Sequence, residues 1–135
     1  MFLPIITVFY TGIAVLLYTA MSFYVIKGRF KYRVSLGDGG HEDLQKRVRA
    51  HANFAELAPF LILILYFMEI TGGLNTYLLH LFGILFIASR IIHFGTISGL
   101  LTFPMARQVS MVTTFLLLII GGLYLVVGAF SAMVM

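Results

Sequence analysis

The sequence predicts an all-α integral membrane protein, built as a bundle of four transmembrane helices. Of its 135 residues, 61% are hydrophobic and only 10% are charged, whereas a soluble domain carries roughly a quarter charged residues. The apolar residues fall into four long runs, and all nine lysines and arginines lie near the connections on one side of those runs. We therefore interpret residues 1–135 as a single membrane domain.

Each of the four runs is long enough, with its flanks, to span a bilayer. The first covers residues 2–26, and we interpret it as a retained span because it lacks the charged leader and cleavage site of a signal peptide. The second extends from about residue 50 to 68, and the third from 77 to about 95. Pro104 suits the first turn of a fourth helix, where its missing N–H costs nothing, and this run continues to the C-terminus.

The basic residues predict an orientation. Seven of them lie at or between the facing ends of the first two spans, and Arg90 and Arg107 lie near the junction of the last two. The segment EITGGLNTY, on the other side, has none. The positive-inside rule places both termini outside and both basic connections in the cytoplasm. The same distribution accounts for the net charge of +4 without a nucleic-acid partner.

Several site classes find no support in the residues. There are no cysteines, which excludes disulfides, thiolate metal sites and a cysteine nucleophile. His41 and His80 do not have the spacing of metal ligands, and we assign no metal. The segment GDGG lacks the Gly-Lys-Ser/Thr that completes a phosphate-binding loop, so we interpret it as a tight turn.

Polar side chains follow the start of the second span, in the stretch RVRAHANFAELAPF, at helical spacing. Arg49, Asn53 and Glu56 are separated by four and three residues and share one helix face. On the third span, Arg90 and His93 are three apart and also share a face. Both stripes lie at the cytoplasmic ends of their helices. We therefore expect them to meet.

A structural role is the main alternative for each of these residues alone. Glu56 could neutralise Arg49 or Arg90, arginines near a helix end can reach the headgroups, and Asn53 could be a helix–helix hydrogen bond. Five polar residues on two aligned stripes favour a pocket. Several arginines with one carboxylate suit a small zwitterion with excess negative charge. Glutathione fits that description, as do many other anionic metabolites.

The stretch RVRAHANFAELAPF resembles the signature of the MAPEG family, membrane-associated proteins in eicosanoid and glutathione metabolism. That pattern has an Arg, an Asn four residues on, a Glu after three more and a Pro after another three, here Arg49, Asn53, Glu56 and Pro59. Pro59 also removes one helical hydrogen bond. The stretches YRVSLGDGG and SRIIHF resemble the short bacterial inner-membrane branch. The resemblance covers essentially the whole chain.

The resemblance implies a homotrimer in a bacterial inner membrane, with glutathione in clefts between subunits that open to the cytoplasm. In that membrane, the orientation predicted from the basic residues makes both termini periplasmic. It implies that Arg107 is catalytic and faces the glutathione sulfur. The glutathione-binding residues that it implies are spread over the first three spans: Arg29, Arg33, Arg49, Asn53, Glu56, Arg90 and His93.

Three positions depart from the family pattern. Leu57 replaces a common Tyr, Ile97 stands where several relatives have a Tyr, and Phe30 takes a position that is Arg in leukotriene-C synthases. These losses argue against that eicosanoid chemistry and leave the glutathione-binding set largely intact.

The implied reaction is a glutathione transferase or peroxidase reaction on a lipophilic substrate from the bilayer. A nearby cation favours the thiolate that such chemistry needs, and Arg107 would supply it. Ser110 could donate to the sulfur, although bonding within its own helix is the preferred interpretation. Two alternatives remain open: a non-catalytic membrane binding protein, and a small transporter that uses Glu56 as an intramembrane ion site.

Overall fold

The computed structural model describes residues 3–134, which form four long α-helices: α1 (Ile5–Tyr32), α2 (Glu42–Ile70), α3 (Thr76–Ile97) and α4 (Ala106–Val134). The described residues contain no strand. Each helix is long and apolar enough to cross a membrane, which confirms the predicted four-span architecture. Helices α1 and α2 both extend past their apolar runs into the basic connection, where few residues separate them.

Local signals set several helix ends. Arg33 ends α1 in the left-handed conformation (φ 54°), and its N–H lies near the carbonyls of Arg29 and Phe30. Asn75 begins α3, where its side chain accepts a hydrogen bond from the N–H of Leu78 at 3.0 Å. The prediction for Pro104 was wrong: it lies in a turn before α4, because the next residue, Met105, has a φ of 63° that no right-handed helix accommodates.

Helices α2 and α3 form the centre of the bundle. Helix α1 packs against both of them on one side, α4 packs against both on the other, and α1 does not contact α4. Phe86, Leu61 and Leu65 are fully buried between them. Helix α4 buries only four residues, spaced by four and three along one stripe: Ser110, Thr114, Leu117 and Gly121. The rest of α4 is available to lipid or to another subunit.

Two glycines let the helices approach closely. A Cβ at Gly83 would overlap the ring of Tyr10, which crosses from α1, and a Cβ at Gly121 would overlap the side chain of Ile64 on α2. Small residues at such crossings are the usual route to tight packing between membrane helices. The close packing holds α1 and α4 onto the central pair.

At the end of the bundle opposite the basic loops, the carboxylate of Glu69 caps the start of α1. Its two oxygens accept hydrogen bonds from the backbone N–H groups of Ile6 at 2.9 Å and Thr7 at 2.7 Å. Glu69 is only 6% exposed, and Pro4, the residue before α1, supplies no capping side chain. A negative charge at a helix N-terminus is stabilised by the helix dipole, so this buried carboxylate ties α1 to the end of α2.

Candidate functional site

The two predicted polar stripes meet inside the bundle, near the end that carries the basic loops. Arg90 Nη1 on α3 donates a hydrogen bond to Asn53 Oδ1 on α2 at 3.0 Å. The expectation that the stripes share one depth is therefore confirmed within a single subunit. Burial divides the polar residues into two groups: a buried group around Arg90, and an exposed group on the surface of α2 and α4.

Arg90 is the most deeply buried charge in the described chain, with an exposed fraction of 1%. Its Nη2 donates to Thr114 Oγ1 on α4, and its Nε has no partner among residues 3–134. Thr114 Oγ1 also lies 3.2 Å from Ser89 Oγ and 2.9 Å from the carbonyl of Ser110. We call Asn53, Ser89, Arg90 and Thr114 the Arg90 cluster. It joins α2, α3 and α4 through neutral partners alone.

Asn53 connects this cluster to the surface. Arginine has only hydrogen-bond donors, so the Asn53 atom that faces Arg90 must be the amide oxygen. The NH₂ group of Asn53 is consequently turned away from Arg90, and no hydrogen bond joins it to the rest of the described residues. Asn53 is half-buried. Its NH₂ group is therefore a free donor at the edge of the bundle, and the hydrogen bond from Arg90 to Asn53 Oδ1 fixes the orientation of that group.

His93 forms a second buried contact beside the cluster. Its Nδ1 lies 3.3 Å from Ser110 Oγ, and that hydroxyl donates to the carbonyl of Arg107 at 2.8 Å. The preferred interpretation of Ser110, as a serine bonded within its own helix, is confirmed. His93 is buried and supports α4 from α3.

Arg49, Glu56 and Arg107 form the exposed trio. All three side chains are exposed, and no hydrogen bond or ion pair joins them to other residues in the described chain. The alternative in which Glu56 neutralises Arg49 or Arg90 is therefore wrong for one subunit. Charged groups in membrane spans normally face a partner or water. The trio has no such partner among the described residues.

Arg29 and Arg33 lie apart from both groups. Arg29 Nη1 donates to the backbone carbonyls of Gly37 at 2.9 Å and Ser35 at 3.3 Å, so it holds the loop that follows α1. Arg33 is the left-handed residue that ends α1. No described contact brings either one to the Arg90 cluster or the exposed trio. No contact among the described residues supports their predicted role in glutathione binding, and that role stays a prediction.

The positions that depart from the family pattern are not part of the Arg90 cluster. Phe30 is 79% exposed on the outer face of α1, while Leu57 and Ile97 are half-buried. None of them supplies a polar group near the contacts described above. The site therefore keeps its charged and amide groups and lacks the phenols that several relatives carry.

Sequence reasoning missed Thr114 and Ser89. Both are buried hydroxyls in apolar spans, and Thr114 lies one turn after Ser110 on the single stripe that α4 buries. That spacing was the available signal, since hydroxyls at helix interfaces often bond across helices. Within residues 3–134, no group of three histidines or acidic residues is placed to hold a metal ion.

Comparisons with known proteins agree with these features. Residues 7–127 match the MAPEG family. Two curated relatives, both called inner membrane protein YecN, from Escherichia coli strain K12 and from Escherichia coli O6:H1, are each 37% identical over 89 residues, which is 66% of this chain and 67% of theirs. No solved structure matches the chain. The family match covers all four helices and both polar stripes, and the chain belongs to the MAPEG family.

Proposed function

We propose that this protein binds glutathione between the subunits of a homotrimer and acts as a glutathione transferase or peroxidase on lipophilic substrates. The observation that carries the proposal is the contrast around Asn53: its oxygen is fixed by buried Arg90, while its NH₂ group and the exposed Arg49 and Glu56 have no partner within the subunit. Membership of the MAPEG family supports the choice of glutathione.

Each exposed group matches one part of glutathione. Arg49 pairs with a carboxylate through its planar fork, Glu56 holds the ammonium group, and the Asn53 NH₂ donates to an oxygen or to the sulfur. Arg90 lies behind Asn53 and has neutral partners. It raises the local positive potential and favours an anionic ligand. Arg90 therefore acts on the ligand through Asn53 and through its charge.

The placement of the charged stripe supports an assembly of subunits, and the trimer is the assembly that the family resemblance implies. Arg49 and Glu56 lie on the outer surface of a span and can avoid lipid only by facing another helix or a water-filled cleft. A neighbouring subunit supplies both. The relatives are named inner membrane proteins, and we place this protein in the bacterial inner membrane, with the cleft open to the cytoplasm and both termini periplasmic. A reporter fused to the C-terminus that proves active only in the cytoplasm would contradict this orientation.

Arg107 would activate the thiol. Its guanidinium stays charged in proteins and lowers the pKa of a neighbouring thiol. As a transferase, the thiolate sulfur forms a bond to an electrophilic carbon, and the leaving group departs with the bonding pair. As a peroxidase, the thiolate attacks the outer oxygen of the hydroperoxide and the O–O bond breaks, and the departing alkoxide takes a proton from water to become an alcohol. A second glutathione then converts the resulting sulfenic acid to the disulfide with loss of water.

The decisive experiment is a calorimetric titration of the purified protein in detergent with glutathione, with the oligomer size measured in parallel. We expect saturable binding and a complex of three chains. Absence of binding would contradict the proposal, and a species that stops at the dimer on cross-linking would contradict the trimer.

A non-catalytic binding protein is the second candidate, favoured by the apolar residues Leu57 and Ile97 at positions where relatives have Tyr. It would bind glutathione through the same exposed groups and leave the thiol protonated. Ultraviolet absorbance of the bound thiolate separates the two, since a protein that binds glutathione without forming thiolate at neutral pH is not the proposed enzyme.

A further inference from the structure

We propose that Glu69 is a proton-sensitive latch on the first turns of α1. As a carboxylate it holds residues 5–11, which we call the latch segment, against the bundle, and as a carboxylic acid it releases them. The inference concerns the end of the bundle opposite the basic loops and does not depend on the proposed glutathione chemistry.

The ionised form of Glu69 has its hydrogen-bond partners on α1. Its two oxygens accept hydrogen bonds from the N–H groups of Ile6 at 2.9 Å and Thr7 at 2.7 Å, and it forms no ion pair within residues 3–134. Bonds of this kind are stronger to a charged acceptor, and the helix dipole favours the negative charge. A protonated carboxyl group loses that charge, and one of its oxygens then carries a hydrogen. Protonation therefore weakens the hold on the latch segment.

The other ionisable side chains at this end of the described chain do not carry a compensating charge at neutral pH. All nine lysines and arginines lie towards the basic loops. The ionisable groups that remain at this end are four tyrosines and one histidine: Tyr10 on α1, Tyr66 on α2, Tyr77 and His80 on α3, and Tyr124 on α4.

The contact between Tyr10 and His80 is the second attachment of the latch segment. The Tyr10 hydroxyl lies 3.1 Å from His80 Nδ1 and 3.2 Å from the His80 carbonyl oxygen. This hydroxyl can donate to the carbonyl whatever the charge of the imidazole ring. Acid therefore acts on the attachment at Glu69 and leaves the one at Tyr10 in place.

The latch segment has few further contacts with the bundle. Among residues 5–18, only Thr7, Tyr10 and Ala14 are buried, and α1 does not contact α4. The Thr7 hydroxyl is buried without a hydrogen-bond partner in the described chain, which costs free energy in the docked position. Docking of the latch segment therefore depends strongly on the two polar attachments.

A glycine provides a place for α1 to bend. A Cβ at Gly12 would meet no described atom within 4 Å, so packing within the described chain does not require glycine there, and glycine weakens a helix interior. Just beyond it, a groove of about 320 Å³ separates α1 from α2, lined in part by Ala14 and Ala58. The latch segment can thus move about Gly12 while the rest of α1 stays packed.

Protons have a short path to Glu69. It is the last residue but one of α2, and the next residues, Ile70, Thr71 and Gly72, are exposed. In the orientation that we propose, this end faces the periplasm. Glu69 contributes to docking while it is ionised, so its contribution is present at neutral pH and is lost as the pH falls.

The test is spin-label spectroscopy of the purified full-length protein in detergent. The chain has no cysteine, so Val8→Cys gives one attachment point for a nitroxide, at an exposed position of the latch segment. We expect the mobile fraction of the spectrum to rise about tenfold between about pH 7.5 and about pH 4. Glu69→Gln, which is neutral at every pH, should show the larger fraction already at neutral pH and no further change.

Three matched variants locate the effect. The label of Val15→Cys, an exposed position beyond Gly12, should not respond to pH. Glu42→Gln removes an exposed acid at the other end of α2 and should keep the wild-type response. Gly12→Ala should reduce the mobile fraction in acid, because it stiffens the helix without meeting a described neighbour.

Four outcomes would overturn the proposal. They are equal mobility of the Val8→Cys label at both pH values, a pH response that persists in Glu69→Gln, an equal response at Val15→Cys, which would mean general unfolding in acid, and a mobile fraction unchanged by Gly12→Ala. The wild-type pH comparison and Gly12→Ala decide the question even where Glu69→Gln fails to fold.

Discussion

The Arg90 cluster and the exposed trio each contain arginine, but only the arginine of the cluster has hydrogen-bond partners within the described chain. Arg90 finds Asn53 and Thr114 within its own subunit and is 1% exposed. Arg49, Glu56 and Arg107 are exposed without such partners in the described chain. Burying a charge is tolerated only with hydrogen bonds. From this difference we propose a division of roles, in which the cluster holds Asn53 in place and the trio binds the ligand.

Removing the buried arginine should have the largest effect on stability. Arg90→Ala leaves a large cavity and removes the hydrogen bonds that join α3 to Asn53 on α2 and to Thr114 on α4, so we expect the free energy of unfolding to fall by about 3–5 kcal/mol. Arg49→Ala, at an exposed position, should cost less than about 1 kcal/mol. Thermal denaturation in detergent measures both. Comparable losses would show that the two groups are not distinct.

Removing an exposed arginine should have the largest effect on ligand binding. Arg49→Ala should weaken glutathione and its S-alkyl analogues equally, by about 2–3 kcal/mol, because a desolvated carboxylate loses its charge-assisted pair. Calorimetric titration gives the two affinities. Lys46→Ala is the matched control, an exposed cation on the same helix that pairs with Glu42. If Lys46→Ala weakens glutathione binding as much as Arg49→Ala does, the loss reflects the overall positive charge and not a direct contact of Arg49 with the ligand.

Asn53→Asp tests the link between the two groups. The aspartate gives Arg90 a counter-ion, so stability should be kept or raised, while loss of the outward NH₂ should weaken glutathione binding by about 1–2 kcal/mol. Thr114→Val should do the reverse: it removes the other acceptor of Arg90, lowers stability by about 1–2 kcal/mol and leaves binding unchanged. Unfolding and titration together decide, and parallel losses in both variants would contradict the division.

Arg107 should give the most selective effect. Arg107→Ala should raise the pKa of the bound thiol by about one unit and lower turnover at neutral pH about tenfold, without weakening S-alkyl analogues, which have no thiolate. Lys at this position should restore part of the activity, as a point charge without the planar fork. Thiolate absorbance and turnover are the readouts. Loss of S-alkyl binding would show that Arg107 holds another part of the ligand.

The sequence was sufficient for the features that depend on one chain and on short spacing. Apolar runs identified the four spans, and the three- and four-residue spacing was enough to predict that the two stripes would meet, which they do through Arg90 and Asn53. It was insufficient for Pro104, because the left-handed Met105 beside it follows from how the turn packs. Thr114 was not predicted, because an uncharged threonine in an apolar span gives no sequence signal of a polar contact.

The exposed trio shows a different limit. Helical spacing correctly grouped Arg49 with Glu56, but no contact within the described chain identifies their partner. Arg29 and Arg33 also show that sequence alone does not identify the partner of a charged side chain. The family resemblance implied that both bind glutathione, whereas Arg29 donates to the carbonyls of its own loop. Contacts that depend on three-dimensional neighbours could not be read from spacing.

The Glu69 cap makes the start of the first helix depend on the end of the second. The first N–H groups of α1 receive their acceptor from a residue more than sixty positions later in the chain, and Pro4 offers no substitute. The N-terminal turn of α1 is therefore fully capped only when α2 has folded beside it. One carboxylate thus makes the start of α1 and the end of α2 a single cooperative unit.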